Sequence, residues 1–223
     1  MTGRAATVLP RNNLTGCLYA RPMPRQAPEP STDEVAQRIL DGRVWSHAGT
    51  EVRRSRRGLG MYVTAPVRAG DVVYRADIIT LTDDEHSFMA RVPIDGAVEQ
   101  IVLGPHHTVR FDGTRWLDVP GCLLNHACDP TTFSVFRQDD PGGQLRYDQI
   151  AIVDLSPGDE ITCDYTRFDW GDDGFAFACA CGSPGCYGWI DGFGGLPPAV
   201  QASTADSTDM EAARRWELLN EPG

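Results

Sequence analysis

Short apolar or alternating runs, each closed by a Gly or Pro turn, dominate the middle of the chain. They predict strands at residues 61–63, 72–74, 78–81, 100–103, 109–111, 147–153 and 160–165. Leu123 and Leu124 are predicted as the end of another strand, which runs into Asn125 and His126 and which Pro130 stops. Many short strands with turns between them are typical of a mainly β fold with short helices.

Helices are predicted near the two ends of the chain, with one short helical turn between them. Residues 31–34 form a capping-box pattern that predicts a helix to about Leu40, ended by Gly42. Residues 210–220 predict a terminal helix, and residues 83–85 a short helical turn. Residues 1–30 contain five prolines and predict a partly mobile arm.

Composition narrows the class of protein. A chain of 223 residues suits one domain with flanking segments. No apolar run approaches the roughly 20 residues of a membrane helix, and the start lacks the apolar region of a signal peptide, so we expect a soluble cytoplasmic protein. All 20 basic residues are Arg. The absence of Lys suggests a GC-rich, bacterial coding bias, and it leaves the chain no side-chain amine of its own.

The net charge of −11 argues against direct binding to nucleic acid, because an acidic surface repels phosphates. It favours a basic or amine-bearing partner. For most of the surface, however, the charge needs no role beyond solubility.

Cysteine spacing is the strongest local signal. Cys179, Cys181 and Cys186 are separated by small and turn-forming residues, which lets three thiolates converge on one ion. Cys128 is available as the fourth ligand that tetrahedral Zn²⁺ requires. A closed four-sulfur site is structural, because it has no coordination position left for a substrate. The alternative is a set of free or disulfide-bonded cysteines.

Three other segments are ambiguous when taken singly. A glycine pair, Gly58 and Gly60, suggests backbone held close to a ligand or merely a tight turn. A strand ending in Asp164 and Tyr165 is unremarkable alone. The histidines lack ligand partners at suitable spacing, which favours surface or core positions for His86, His106 and His107.

Taken in order, these segments resemble the SET-domain methyltransferase family. The matching residues are 58–60 (Gly-x-Gly), 125–130 (Asn-His-x-Cys-x-Pro), 160–165 (the strand ending Asp-Tyr) and the cysteines of residues 179–186. The resemblance covers about residues 45–190. It implies a SET-domain β-clip with a pseudoknot, in which the Asn-His corner and the Asp-Tyr strand lie side by side, and a C-terminal post-SET zinc segment.

The resemblance also implies a division of the chain. Residues 1–44 would be an arm and short helix, 45–170 the SET domain, 171–192 the zinc segment, and 193–223 a tail with a helix.

The implied function is transfer of a methyl group from S-adenosylmethionine (SAM) to an amine, with protein lysine first. The family pattern assigns catalysis to Tyr165 and the substrate pocket to Cys163 and Asp164. It assigns structural Zn²⁺ to Cys128, Cys179, Cys181 and Cys186. It assigns SAM binding to Gly58, Leu59, Gly60, Tyr62, Asn125, His126 and, over the adenine, Trp189 or Phe177.

Departures from the family pattern leave alternatives open. Ala127 replaces the usual Ser, Cys122 a basic residue, and Cys163 an aromatic that governs how many methyl groups fit. The smaller thiol suggests multiple methylation or a bulkier acceptor. The competing functions are methylation of a peptide or small-molecule amine in a bacterial pathway, and a non-catalytic SET-fold binding module. Acidic residues 169, 172 and 173 either line the acceptor entrance or form a solvated loop.

Overall fold

Strands are the predominant regular elements of the computed structural model, which describes residues 32–81, 87–111, 114–137, 146–171 and 176–204, with residues 215 and 219. The elements, in chain order, are α1 Thr32–Asp41, β1 Thr50–Ser55, β2 Gly58–Val63, β3 Val72–Leu81, β4 Phe88–Ile94, β5 Ala97–Leu103, β6 Val109–Phe111, β7 Thr114–Asp118, β8 Asn125–His126, β9 Thr132–Arg137, β10 Arg146–Ala151, β11 Glu160–Cys163, β12 Phe177–Ala178, β13 Trp189–Ile190 and α2 Pro198–Thr204. The prediction of a mainly β fold is confirmed.

Two sheets enclose the main core. One has the strand order β5-β4-β1-β2-β11-β8, and the other the order β6-β7-β3-β10-β9. Alternate residues point to opposite faces of a strand, which is why β4 buries Phe88, Ala90, Val92 and Ile94 and leaves Met89 exposed. Helix α1 covers this core with Ala36 and Leu40, and the Trp45 indole N–H donates to the Leu40 carbonyl at 3.0 Å.

The sequence prediction missed strand β1. Strand β2 forms an antiparallel hairpin with β1, whereas β3, the next predicted strand along the chain, belongs to the other sheet. Four of the six β1 residues are charged or Ser, so its apolar alternation is weak. Its Arg54 pairs with Asp95 and Glu99 of the neighbouring β4–β5 hairpin.

The Asn-His corner lies beside the strand that precedes Tyr165, as predicted. Strands β8 and β11 run parallel, with Asn125 opposite Thr162 and His126 opposite Cys163. The Ala127 N–H then donates to the Cys163 carbonyl at 3.0 Å. Two segments that are about 35 residues apart are therefore locked together at the centre of the molecule.

Two boundary predictions at this junction are wrong. Residues 121–123 form a 3-10 turn, so Leu123 does not end a strand, and β8 begins only at Asn125. Strand β11 stops at Cys163, because the Asp164 carboxylate caps a second 3-10 turn by accepting from the Thr166 N–H at 3.0 Å. Tyr165 is therefore held in a turn beyond the strand.

The C-terminal part packs as a small unit of its own. Strands β12 and β13 pair, and Phe193 and Leu196 form a second apolar cluster with Trp170. Helix α2, which sequence patterns did not predict, follows. The predicted mobile arm, the turns at residues 83–85 and 139–143, and most of the terminal helix lie outside the described residues. In the described part, no helix has the length and apolarity to cross a membrane.

Candidate functional site

A cavity of about 150 Å³ lies where the two sheets and the C-terminal part meet. Its wall contains Tyr165, Cys163 and Cys122 from the Asn-His junction, and Asp118 and Tyr147 from the second sheet. The other lining residues are Ile78, His106, His107, Thr108, Val109, Trp116, Gly121, Leu124, Ser134, Phe168, Asp169, Ile190 and Gly192. The lining is largely apolar with a few polar groups, which is the usual composition of a small-ligand site.

Tyr165 is fixed within the cavity wall. Its hydroxyl donates to the Leu124 carbonyl at 2.5 Å, and its backbone N–H donates to His126 Nδ1 at 3.1 Å. Burial raises the pKa of Tyr165, so the phenol keeps its proton at neutral pH. It can therefore orient a ligand through hydrogen bonds, but it cannot serve as a strong base.

The two residues predicted for the substrate pocket have different positions. Cys163 is buried and lines the cavity, and burial raises the pKa of its thiol. Asp164 is not among the lining residues, and its buried carboxylate accepts from the Thr166 hydroxyl at 2.7 Å. Asp164 is better described as a structural cap that positions Tyr165.

None of the residues predicted to bind a cofactor lines the cavity, and several of them meet around Asn125. The Asn125 side-chain N–H₂ donates to the Leu59 carbonyl at 3.1 Å and to Glu160 Oε1 at 2.7 Å. Arg57 donates to the His126 carbonyl at 3.0 Å and pairs with Glu160. Arg57 and Glu160 were not predicted as site residues, although Arg57 precedes one predicted motif and Glu160 begins another.

Gly60 is required by this arrangement itself. A Cβ added there would lie 2.8 Å from both Asn125 Nδ2 and Glu160 Oε1, closer than real Cβ contacts. Gly58 has a φ of +99° at the β1–β2 turn, a conformation that glycine adopts without strain. Gly60 therefore serves the packing of Asn125, and Gly58 serves the β1–β2 turn.

Replacing Gly60 with Ala is expected to displace Asn125 and Glu160 and to lower the free energy of unfolding by about 1–3 kcal/mol. Chemical denaturation measures this change. The matched control is Gly104→Ala, because a Cβ at Gly104 meets only the Ser87 hydroxyl at 3.8 Å. Equal stability of the two variants would contradict the packing explanation.

His126 faces inward and links the junction to the cysteines. Its Nε2 lies 3.1 Å from Cys128 Sγ. Burial lowers the pKa of His126, although Asp164 opposes this shift. Its neutral ring can accept from the Tyr165 N–H. The side chain of His126 is therefore occupied by protein contacts, which leaves mainly its backbone for a ligand.

The four cysteines predicted to bind a metal are brought together. The Sγ atoms of Cys128, Cys179, Cys181 and Cys186 all lie within 4.8 Å of one another, and those of Cys128 and Cys179 are 3.7 Å apart. Tetrahedral Zn–S bonds of about 2.3 Å put the sulfurs about 3.8 Å apart. Burial opposes ionisation of Cys181, but hydrogen bonds from Ser183 lower its pKa to about 6. All six described cysteines are free of disulfides.

The two aromatic residues proposed to cover a cofactor occupy different environments. The Phe177 ring packs edge-on against His126 and Tyr165, with centroids 6.0 and 6.2 Å away. Trp189 is 57% exposed on β13. Phe177 is therefore the better placed of the two beside the junction.

Sequence patterns did not find four polar lining residues of the cavity. His106 and His107, expected at surface or core positions, line it together with Asp118 and Tyr147. Each lies in an ordinary local pattern, and only the pairing of strands brings them near Tyr165. Asp169 also lines the cavity, whereas Asp172 and Asp173 lie outside the described residues.

Comparison with known proteins gives one family match. A family model described as SET domain matches residues 58–166, inside the predicted domain of residues 45–170, whose outer boundaries stay predictions. The matched range contains both strands of the junction and Tyr165.

Two curated relatives illustrate the similarity. The chain is 34% identical over 83 residues to histone-lysine N-methyltransferase Set2 of Drosophila melanogaster, an alignment that covers 37% of this chain and 3% of that protein. It is 27% identical over 146 residues to an H3 lysine-4 specific histone-lysine N-methyltransferase of Cryptococcus neoformans, covering 62% of this chain and 9% of that protein. The chain thus spans less than a tenth of the length of these curated relatives.

Among solved structures, a Plasmodium falciparum chain described as a candidate histone methyltransferase matches with a TM-score of 0.39 and 14% identity. The match covers 52% of this chain and 92% of that chain.

Proposed function

Residues 58–166 of this chain are a SET domain, and we propose that the protein transfers a methyl group from SAM to an amine, with protein lysine as the leading acceptor. The observation that carries the proposal is the position of Tyr165. Its phenol lines the cavity, whereas Asn125 and His126, on the strand paired with the one that precedes Tyr165, do not. One ligand can therefore approach Tyr165 from the cavity while another lies beside Asn125.

The residues around Asn125 suit SAM. Both N–H groups of Asn125 are engaged by Leu59 and Glu160, which leaves its carbonyl oxygen to accept from an amino group. The backbone of residues 58–60 runs alongside, with Tyr62 further along β2, and Phe177 offers an aromatic edge near His126. Trp189, which is exposed on β13, would have to move to contact SAM. SAM, when bound, supplies a methyl group already activated by its sulfonium.

The chain's own part is then orientation and exclusion of water. An amine must present its lone pair in line with the methyl group, and fixing that geometry can remove several kcal/mol of barrier. The Tyr165 hydroxyl, anchored on the Leu124 carbonyl, has lone pairs that can accept from the amine. A free lysine amine has a pKa of about 10.4, and burial in the apolar part of the cavity favours loss of its proton.

The cysteine cluster fits a structural Zn²⁺ ion. Its four sulfurs are spaced as a tetrahedral site needs, and with four thiolates the ion would have no open position. Cys128 follows the Asn-His junction, whereas the other three belong to the C-terminal segment. Zinc would therefore tie that segment, with Phe177, to the junction.

Two measurements test the proposal. Calorimetry with SAM should detect binding, and incubation with labelled SAM and a fractionated lysate should label protein. Label on small molecules alone would favour the alternative acceptor class, a peptide or small-molecule amine. No SAM binding would leave only a non-catalytic binding module.

Cys163 is expected to set the number of methyl groups transferred. Because its small thiol lines the cavity, replacement with Phe would fill space beside the acceptor nitrogen. We expect Cys163→Phe to shift products toward lower methylation states. Mass spectrometry of the product measures this, with Cys163→Ala as the control that keeps the space. An unchanged product distribution would refute the role.

A further inference from the structure

A buried polar cluster at one wall of the cavity has no part in the transfer described above. It consists of His47, Tyr74, Asp118 and Tyr147, from the loop before β1 and from β3, β7 and β10. The Tyr147 hydroxyl donates to Asp118 Oδ2, and the Tyr74 hydroxyl lies 3.4 Å from that of Tyr147. The His47 ring stacks on Tyr74 with centroids 4.2 Å apart.

Asp118 has one carboxylate oxygen without a hydrogen bond. Its side chain is only 7% exposed, and its Oδ1 and the Nε2 of His47 are buried atoms without partners, 3.5 Å apart. A buried polar atom left unpaired costs free energy, and a buried carboxylate costs more than a neutral group. Oδ1 faces His47 Nε2 without a hydrogen bond, so the Asp118 carboxylate keeps lone pairs for a bound N–H donor.

The backbone holds this carboxylate in place. A Cβ added at Gly121 would lie 1.6 Å from Asp118 Oδ2 and 2.7 Å from the Tyr74 hydroxyl, so the 3-10 turn presses directly on the cluster. Burial raises the pKa of both Tyr74 and Tyr147, and Asp118 raises them further, so both phenols stay protonated. The cluster thus presents a fixed acceptor supported by a tyrosine donor.

This acceptor belongs to the same cavity as Tyr165. Asp118, Cys122, Cys163 and Tyr165 all line it, whereas His47 and Tyr74 are not among its lining residues. Burial raises the pKa of Cys122, and Asp118 raises it further, which agrees with the two groups being close. A ligand that enters the cavity to reach Tyr165 therefore comes under the electrostatic influence of the Asp118 carboxylate.

We propose that Asp118 binds the cationic nitrogen of the acceptor as it enters, before the nitrogen loses its proton to solvent and reacts, so that the cavity selects alkylammonium groups over neutral groups of the same size. Tyr147 and Tyr74 are positioning residues that hold the carboxylate. The inference rests on the proposed function, because it concerns the acceptor side of the same site. A free alkylamine is almost entirely protonated at neutral pH, so capture of the cation is the form of binding that entry requires.

The test uses the full chain without any methyl donor, so it does not depend on methyl transfer. Binding of n-butylammonium, 1-butanol and butyrate is measured by titration of the ¹⁵N-labelled protein, followed at the amides of Cys122 and Tyr165. We expect the ammonium to bind about tenfold or more tightly than the alcohol, and butyrate to bind more weakly than the alcohol.

Two matched variants assign the preference to a residue. Asp118→Asn should abolish the preference for ammonium while 1-butanol still binds. Asp148→Asn should keep it, because Asp148 is an equally buried carboxylate on β10 that is not among the lining residues and interacts with Arg75.

Three results would overturn the inference. They are equal binding of ammonium and alcohol by the unaltered chain, a preference retained in Asp118→Asn, and a preference lost instead in Asp169→Asn, since Asp169 lines the same cavity. If Asp118→Asn does not fold, the comparison of the three probes on the unaltered chain still decides whether the cavity selects a cation.

Discussion

Replacing Tyr165 with Phe is expected to lower the rate of methyl transfer by about a hundredfold or more, while SAM binds almost as well as before. The substitution keeps the ring but removes the hydroxyl that the Leu124 carbonyl fixes. Without it, the acceptor amine loses the hydrogen bond proposed to aim its lone pair. Single-turnover rates with labelled SAM and the protein fraction that the unaltered chain labels measure the first effect, and calorimetry measures the second.

The matched control is Tyr187→Phe. Tyr187 is also half-buried near the junction, and its hydroxyl lies 3.4 Å from the Asp164 carboxylate, but it is not among the lining residues of the cavity. We expect this variant to retain most of the activity. A Tyr165→Phe rate within about twofold of the unaltered chain would mean that orientation comes from elsewhere in the cavity. Loss of SAM binding would instead make Tyr165 part of the cofactor site.

The pairing of the Asn-His corner with the strand before Tyr165 could be predicted from the sequence, because the sequence signals of both segments are local and strong. The Asn-His-x-Cys-x-Pro segment, the strand ending in Asp164 and Tyr165, and the cysteine spacing each constrain a few consecutive residues. Their order along the chain then predicted that they meet, and the parallel pairing of β8 with β11 confirms this for the first two. The cysteine cluster was brought together in the same way.

The wall of the cavity could not be predicted in this way. His47, Tyr74, Asp118 and Tyr147 lie in four separate segments, and each is unremarkable in its own local pattern. Only the pairing of β3 with both β7 and β10 brings three of them together. That pairing depends on tertiary packing, which hydrophobic alternation does not encode.

The prediction of where strands end failed for a related reason. The alternation of residues 160–165 continues through Asp164, yet the strand stops because this carboxylate finds the N–H and hydroxyl of Thr166. A local side-chain hydrogen bond outcompetes one more residue of strand pairing. The result moves Tyr165 into a turn, and this displacement gives its phenol access to the cavity.

Loss of the metal is expected to have the largest effect on stability. Cys128→Ser removes the one proposed ligand that comes from outside the C-terminal segment. We expect it to lower the free energy of unfolding by about 4 kcal/mol or more, because the binding energy of a structural Zn²⁺ contributes directly to folding. Metal analysis should find one zinc per chain before the substitution and much less after it.

Cys163→Ser is the control for metal content, since Cys163 is a buried cysteine on the cavity side and should leave zinc at one per chain. Hydrogen exchange locates the effect. Without zinc, amides of residues 177–190 should lose protection, whereas those of β1, β2 and β4 should keep it, because that sheet packs its own apolar core. Since Phe177 packs against Tyr165, methyl transfer should fall with the loss of protection. A purified chain that contains no zinc yet protects residues 177–190 would show that packing alone holds the segment, and the four sulfurs would then need another explanation.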